Sequence, residues 1–73
     1  MYEVYCTLNQ KFFADSLPEA QAIKGREYNL YLAKMLEKDF SANPIRENTE
    51  FSAFIIDNGK RIEWKIRERR TKI

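Results

Sequence analysis

The sequence predicts a small α+β domain in which one helix packs on a sheet of two β-hairpins, in the order ββαββ. Three observations predict it. Residues 2–8 alternate between outward and inward side chains, residues 17–40 carry apolar side chains at helical spacing, and residues 50–67 alternate again around an Asn-Gly turn. A helix that buries its apolar side on such a sheet gives a two-layer sandwich, with an antiparallel or mixed sheet.

The N-terminal residues predict the first hairpin. The apolar side chains of its first strand share one face: Tyr2, Val4, Cys6 and Leu8. A two-residue turn at residues 9–10 returns the chain as a short strand at residues 11–14, because asparagine tolerates the left-handed conformation. This register places Phe13 opposite Cys6. It also makes Cys6 a buried thiol on the side that faces the helix.

The middle of the chain predicts one helix. Ser16 and Glu19 form a capping box ahead of a first helical residue at Leu17, and the helix extends to about residue 39 or 40. Gly25 in its interior costs about 1 kcal/mol relative to alanine, so a kink or a break is expected there. The stripe that faces the sheet comprises Leu17, Ala20, Tyr28, Tyr31, Leu32 and Met35. Four apolar side chains fall off it, two on each side: Ile23 and Leu30, and Leu36 and Phe40.

The C-terminal residues predict a second hairpin. Asn58-Gly59 is the favoured pair for a tight two-residue turn, and it determines which residues lie opposite each other. Ala53 lies opposite Trp64 and Ile55 opposite Ile62, on the side that faces the helix. Two further pairs extend the hairpin: Phe51 with Ile66 and Glu50 with Arg67. Residues 41–49 are predicted to be a loop.

The predicted layout is similar to β-grasp domains and to the immunoglobulin-binding ββαββ modules. This likeness is one of topology, and topology alone does not carry function. The segment 15–20, Asp-Ser-Leu-Pro-Glu-Ala, followed by Tyr31-Leu32, resembles the strand-to-helix transition of HicB-type antitoxins. It covers less than a third of the chain, and the rest departs from that family's pattern, so no role is transferred.

The composition excludes several functional classes. The 73 residues accommodate one domain, residues 1–73, whose last few residues are expected to fray. The chain has no histidine and a single cysteine, which excludes an internal disulfide framework, a cysteine zinc cage and a histidine base. Its two glycines form no phosphate-binding loop, and its carboxylates are scattered along the chain. We therefore expect no enzymatic activity, no metal and no cofactor.

The same composition bears on the location of the protein. No wholly apolar run exceeds four residues, which is too short to span a membrane, and the first residues lack the basic and apolar regions of a signal peptide. We expect a cytoplasmic protein that does not bind membranes.

The sheet face opposite the helix is the first candidate binding surface. One helix covers only one face, so the other is exposed to water. We expect the partner-binding residues to be those that this second face presents: Tyr5, Phe54, Ile56, Arg61, Lys65 and Arg67. An apolar centre with a charged rim is typical of a protein–protein interface, and a homodimer is one such interface. Apolar residues scattered on a solvated face without a ligand explain the same pattern.

The basic end of the chain is the second candidate. Residues 60–73 hold seven basic and two acidic side chains, whereas residues 1–59 hold six basic and nine acidic ones. Such an end suits a polyanion, and Arg69, Arg70 and Lys72 are the predicted contacts. Trp64 is expected in the core, so no aromatic platform accompanies these charges. A solvated strand face and tail without a ligand, or a basic rim around a protein interface, explains the same charges.

We therefore expect a small regulator or inhibitor that docks onto a larger protein assembly. Compact domains of this size are common among phage and mobile-element proteins. The alternative is a nucleic-acid-binding regulator that uses the basic C-terminal strand.

Overall fold

One helix packs on a five-stranded antiparallel sheet in a computed structural model that describes residues 1–69. The elements are β1 (Tyr2–Cys6), β2 (Gln10–Ala14), α1 (Leu17–Lys38), β3 (Ile45–Asn48), β4 (Ser52–Asp57) and β5 (Lys60–Glu68). The strands lie side by side in the order β2-β1-β5-β4-β3, and every neighbouring pair is antiparallel. The predicted two-layer ββαββ arrangement is confirmed, with one additional strand. We call the sheet face away from α1 the open face.

The additional strand is β3, in the segment predicted to be a loop. Ile45 lies opposite Ile56 of β4, and Asn48 lies opposite Ala53, so β3 forms an edge of the sheet. Its presence also determines how the two hairpins meet. With short connections, a chain without β3 would bring its last strand back parallel to β1. The extra reversal makes β5 antiparallel to β1, which explains why the sheet is antiparallel and not mixed.

The second hairpin has the predicted register. Asn58 and Gly59 both adopt positive φ angles, 51° and 81°, as the tight turn requires. Ala53 lies opposite Trp64 on the side that faces α1. The predicted pair of Glu50 with Arg67 is wrong, because β4 begins only at Ser52. Before it the chain turns, where the Thr49 N–H donates to the Ser52 carbonyl at 2.7 Å.

The first hairpin has a different register from the predicted one. Its turn contains three residues, Thr7 to Asn9, and the Asn9 N–H donates to the Cys6 carbonyl at 3.1 Å. Asn9 has a φ of 63°, so the left-handed residue closes a three-residue turn and not a two-residue one. Cys6 therefore lies opposite Gln10, and Phe13 points to the open face. Leu8 lies in the turn after β1 and is exposed, so it is not part of the predicted strand or of the core.

The helix forms as its capping residues predict. The Glu19 N–H donates to Ser16 Oγ at 3.3 Å, and the Glu19 carboxylate accepts the Asp15 N–H at 3.2 Å. The helix is continuous through Gly25, so the predicted break is absent. It ends at Lys38, where the N–H of Asp39 donates to the Met35 carbonyl at 3.0 Å.

The core lies between α1 and the sheet. Trp64 is only 2% exposed, and its ring meets the rings of Tyr28 and Tyr31 edge to face, with centroids 5.9 Å apart in both pairs. The same part of the core holds Cys6, whose pKa is raised by burial. A second cluster, at the N-terminal end of the helix, is formed by Val4, Ala14, Ala20 and Ile66.

Lys24 is the one cation buried in the described part of the chain, and it lies on the predicted helical stripe. Its ammonium donates to Asn48 Oδ1 at 2.7 Å, to the Thr49 carbonyl, and to the Ser52 carbonyl at 3.4 Å. Burial lowers the pKa of Lys24, and the charge of Glu50 opposes this. The contacts tie α1 to the turn between β3 and β4, so the role of Lys24 is structural.

The charged side chains of α1 make it too polar to cross a lipid bilayer, and α1 is the only helix in residues 1–69.

Candidate functional site

The open face brings together all six side chains predicted to bind a partner. Tyr5 on β1 lies opposite Lys65, and Phe54 and Ile56 on β4 lie opposite Glu63 and Arg61. The aromatic and aliphatic members are half-buried, whereas the cationic members are exposed. By strand, the six residues are Tyr5 on β1, Phe54 and Ile56 on β4, and Arg61, Lys65 and Arg67 on β5. Because β5 is the central strand, its charged side chains form a row, and the apolar side chains flank this row on both sides and do not form one centre.

Two arginines of β5 each contact an aromatic ring and a carboxylate. The guanidinium of Arg61 lies 4.1 Å from the centre of the Phe54 ring, and its Nη2 is 2.9 Å from Glu63 Oε2. The guanidinium of Arg67 lies 5.3 Å from the centre of the Tyr5 ring, and its Nε donates to Glu3 Oε2 at 2.7 Å. Each arginine is therefore held in place from two directions.

Glu3 is the residue of the open face that sequence reasoning missed. It is fully buried, although it points away from the helix. Lys11 Nζ and Arg69 Nη1 lie 3.9 and 3.7 Å from its Oε1, and Arg67 covers its other oxygen. The hydrogen bond from Arg67 holds the pKa of Glu3 below its ordinary value, against the effect of burial. Only the sheet pairing, which places Lys11, Phe13 and Arg67 around Glu3, could reveal this site.

Glu63 on β5 is a second carboxylate of the open face that contacts cationic side chains. Lys65 Nζ lies 3.5 Å from its Oε1, and Arg61 contacts its Oε2. The hydrogen bond from Arg61 lowers the pKa of Glu63. Of the described residues at the open face, five are cationic, Lys11, Arg61, Lys65, Arg67 and Arg69, and three are acidic, Glu3, Glu47 and Glu63. The face therefore has a modest surplus of positive charge.

Two exposed apolar residues extend the candidate site beyond the predicted set. Phe13 on β2 is 53% exposed and lies opposite Glu3, and Ile45 on β3 is 66% exposed and lies opposite Ile56. The wrong turn length concealed Phe13, and the unrecognised strand β3 concealed Ile45. Residues 45–48 contain one apolar side chain followed by three polar ones, so no apolar–polar alternation marks this segment as a strand.

The predicted polyanion contacts lie partly outside the described residues. Arg69 follows β5, and its N–H donates to the Met1 carbonyl at 2.9 Å while its side chain approaches Glu3. Arg70 and Lys72 lie outside the described residues.

Other surfaces are less organised. Leu30, Leu36 and Phe40 are exposed on and after α1, as their off-stripe positions predict. A depression of about 360 Å³ near Tyr31 is lined by charges of both signs, Lys34, Lys38, Asp39 and Asp57. Within residues 1–69, cysteine and carboxylate side chains form no group of three that could hold a metal ion.

The chain matches none of the protein-family models, and neither a curated protein nor a solved structure is significantly similar to it. The functional argument therefore rests on the geometry of the open face.

Proposed function

We propose that this protein is a small docking module that binds a partner protein through its open face and thereby regulates or inhibits a larger assembly. The observation that carries the proposal is the composition of this face. Exposed arginine and lysine side chains form a row on the central strand β5, and half-buried Tyr5, Phe54 and Ile56 flank this row on β1 and β4. Protein interfaces combine apolar and polar contacts, and tyrosine and arginine are frequent hot-spot residues.

The charge of the face supports a partner whose contact surface is acidic. Five cations and three carboxylates leave a positive surplus on the open face, and complementary charge speeds association and selects partners. The exposed side chains of Phe13 and Ile45 extend the apolar area toward both edges of the sheet. They enlarge the area that a partner could cover.

Nucleic acid is the alternative ligand, and the ion pairs of the open face favour it less. Arg61 and Lys65 both contact Glu63, and Arg67 contacts Glu3. Affinity for nucleic acid depends mainly on the number of cations that neutralise phosphates, and Glu3 and Glu63 already neutralise part of the positive charge of this face. The alternative therefore depends on the basic end at Arg69 and beyond.

Site-specific photocrosslinking tests the proposal. A photoreactive amino acid replaces Lys65 on the open face in one variant and Leu36 on the helix in a matched control, and each is exposed to nuclease-treated lysate of the native host. We expect one protein to crosslink at Lys65 only. Excess unlabelled wild-type protein should compete with this crosslink, and excess Phe54→Ala protein should not.

Crosslinking to the same protein only from the Leu36 position would contradict the proposal, as would equal competition by the wild type and the Phe54→Ala variant. Capture that depends on omitting the nuclease would favour the nucleic-acid alternative. The two photoreactive variants and the Phe54→Ala protein must first show the same melting curve as the wild type. An unfolded competitor would also fail to displace the crosslinked protein.

A further inference from the structure

We infer that Arg61 and Arg67 are the specificity-determining residues of the open face and that they bind two carboxylate groups of an acidic partner protein. This inference rests on the docking function proposed above, and it names the partner's chemistry. The two residues lie on the same strand and share one arrangement, a guanidinium that lies over an aromatic ring and contacts a carboxylate.

The first step concerns the guanidinium N–H donors of Arg61 and Arg67 that the described contacts do not engage. A guanidinium carries five N–H donors, and the described contacts engage only one nitrogen of each arginine, Nη2 of Arg61 with Glu63 and Nε of Arg67 with Glu3. Both side chains are exposed. Each arginine therefore presents further donors to a ligand while its position is already set by the ring below and the carboxylate beside it.

The second step concerns preorganisation. A long side chain normally loses rotamer freedom when it binds, which weakens the complex. Phe54 and Glu63 already order Arg61, and Tyr5 and Glu3 already order Arg67, so part of that loss occurs on folding. The planar fork of a guanidinium matches a carboxylate with two parallel hydrogen bonds, which the ammonium group of lysine cannot reproduce.

The third step concerns the spacing. Arg61 and Arg67 lie six positions apart on β5, which corresponds to roughly 20 Å at about 3.3 Å per residue. Glu63 and Lys65 lie between them on the same face, and half-buried Tyr5 and Phe54 flank this row on β1 and β4. The matching surface therefore presents two separate acidic groups with apolar side chains to either side. A protein surface can combine these groups, whereas a nucleic-acid backbone presents phosphates without apolar side chains.

The test uses poly-L-glutamate as the acidic probe and a single-stranded oligonucleotide of equal charge as the competing probe. Arg61→Lys/Arg67→Lys keeps the net charge but removes both forks. Arg26→Lys/Arg46→Lys is the matched control, because it removes two arginines elsewhere at the same charge. We expect the first variant to bind poly-L-glutamate about tenfold more weakly and the control to bind within about twofold of the wild type.

Nuclear magnetic resonance supplies the second readout. Addition of poly-L-glutamate should shift the side-chain Nε–Hε signals of Arg61 and Arg67 and leave that of Arg26 in place. Equal affinity of the two double variants would overturn the inference, as would absent binding of poly-L-glutamate or tighter binding of the oligonucleotide. If the Arg61→Lys/Arg67→Lys variant still crosslinks at Lys65 and binds the crosslinked protein with unchanged affinity, this inference is rejected. The docking function would then still stand.

Discussion

Replacement of Trp64 by alanine is the most severe test of the core. Trp64 is 2% exposed and forms edge-to-face contacts with Tyr28 and Tyr31. Truncation of a large buried aromatic side chain costs about 3–5 kcal/mol, and two lost aromatic contacts favour the upper half of that range. A domain of 73 residues has a total stability of about 4–11 kcal/mol. The expected fall in melting temperature is therefore about 15–40 °C.

Far-ultraviolet circular dichroism measures this change, because Trp64 is the only tryptophan and its fluorescence is lost in the variant. Phe40→Ala is the matched control, since Phe40 is 91% exposed and its truncation should change stability by less than about 0.5 kcal/mol. A cooperative melt of Trp64→Ala within a few degrees of the wild type would refute the assigned core and the register of the second hairpin.

Three further substitutions and one labelling reaction probe single features of the fold. Gly25→Ala should stabilise the protein by about 0.5–1 kcal/mol, because the added methyl group meets open space in a continuous helix, and an unchanged or lower melting temperature would contradict this. Lys24→Met should destabilise by about 1–3 kcal/mol and speed amide exchange in the β3–β4 turn, and unaltered exchange there would refute the contacts. Arg67 lowers the pKa of Glu3 in the folded state, so as the pH falls the unfolded chain takes up a proton before the folded one. Stability should therefore fall from about pH 5 downward, and Glu3→Gln should make this fall less steep in acid titrations. Cys6 should react slowly with a thiol reagent in the native state, since its thiol is buried with a raised pKa, and stoichiometric labelling within seconds would show the assignment to be wrong.

The features that sequence reasoning predicted are those with a strong local cause. Asn58-Gly59 accepts positive φ at both turn positions, and this alone sets the register that places Ala53 opposite Trp64. Ser16 and Glu19 satisfy backbone donors at the helix start without any tertiary contact. The six residues predicted to bind a partner share one face because of these local rules, since alternation along β1, β4 and β5 decides which side chains lie together.

The features that it missed depend on contacts between distant segments. Asn9 takes a left-handed conformation in two-residue and in three-residue turns, so its identity alone does not decide whether Phe12 or Phe13 faces the helix. Lys24 is buried only because the β3–β4 turn supplies three acceptors from residues far along the chain. Glu3 is buried only because Arg67 and Arg69 return beside it from the other end of the sequence.

The most direct test of the central claim compares two affinities for the protein that crosslinks at Lys65. Phe54→Ala should weaken binding by more than about 2 kcal/mol. Joint neutralisation of Arg69, Arg70 and Lys72 should cost less and chiefly change the association rate. Phe40→Ala serves as the control with the same side chain removed elsewhere. The opposite order of effects, with affinity that falls steeply as salt is raised, would contradict docking through the open face and would indicate a polyanion bound at the basic end.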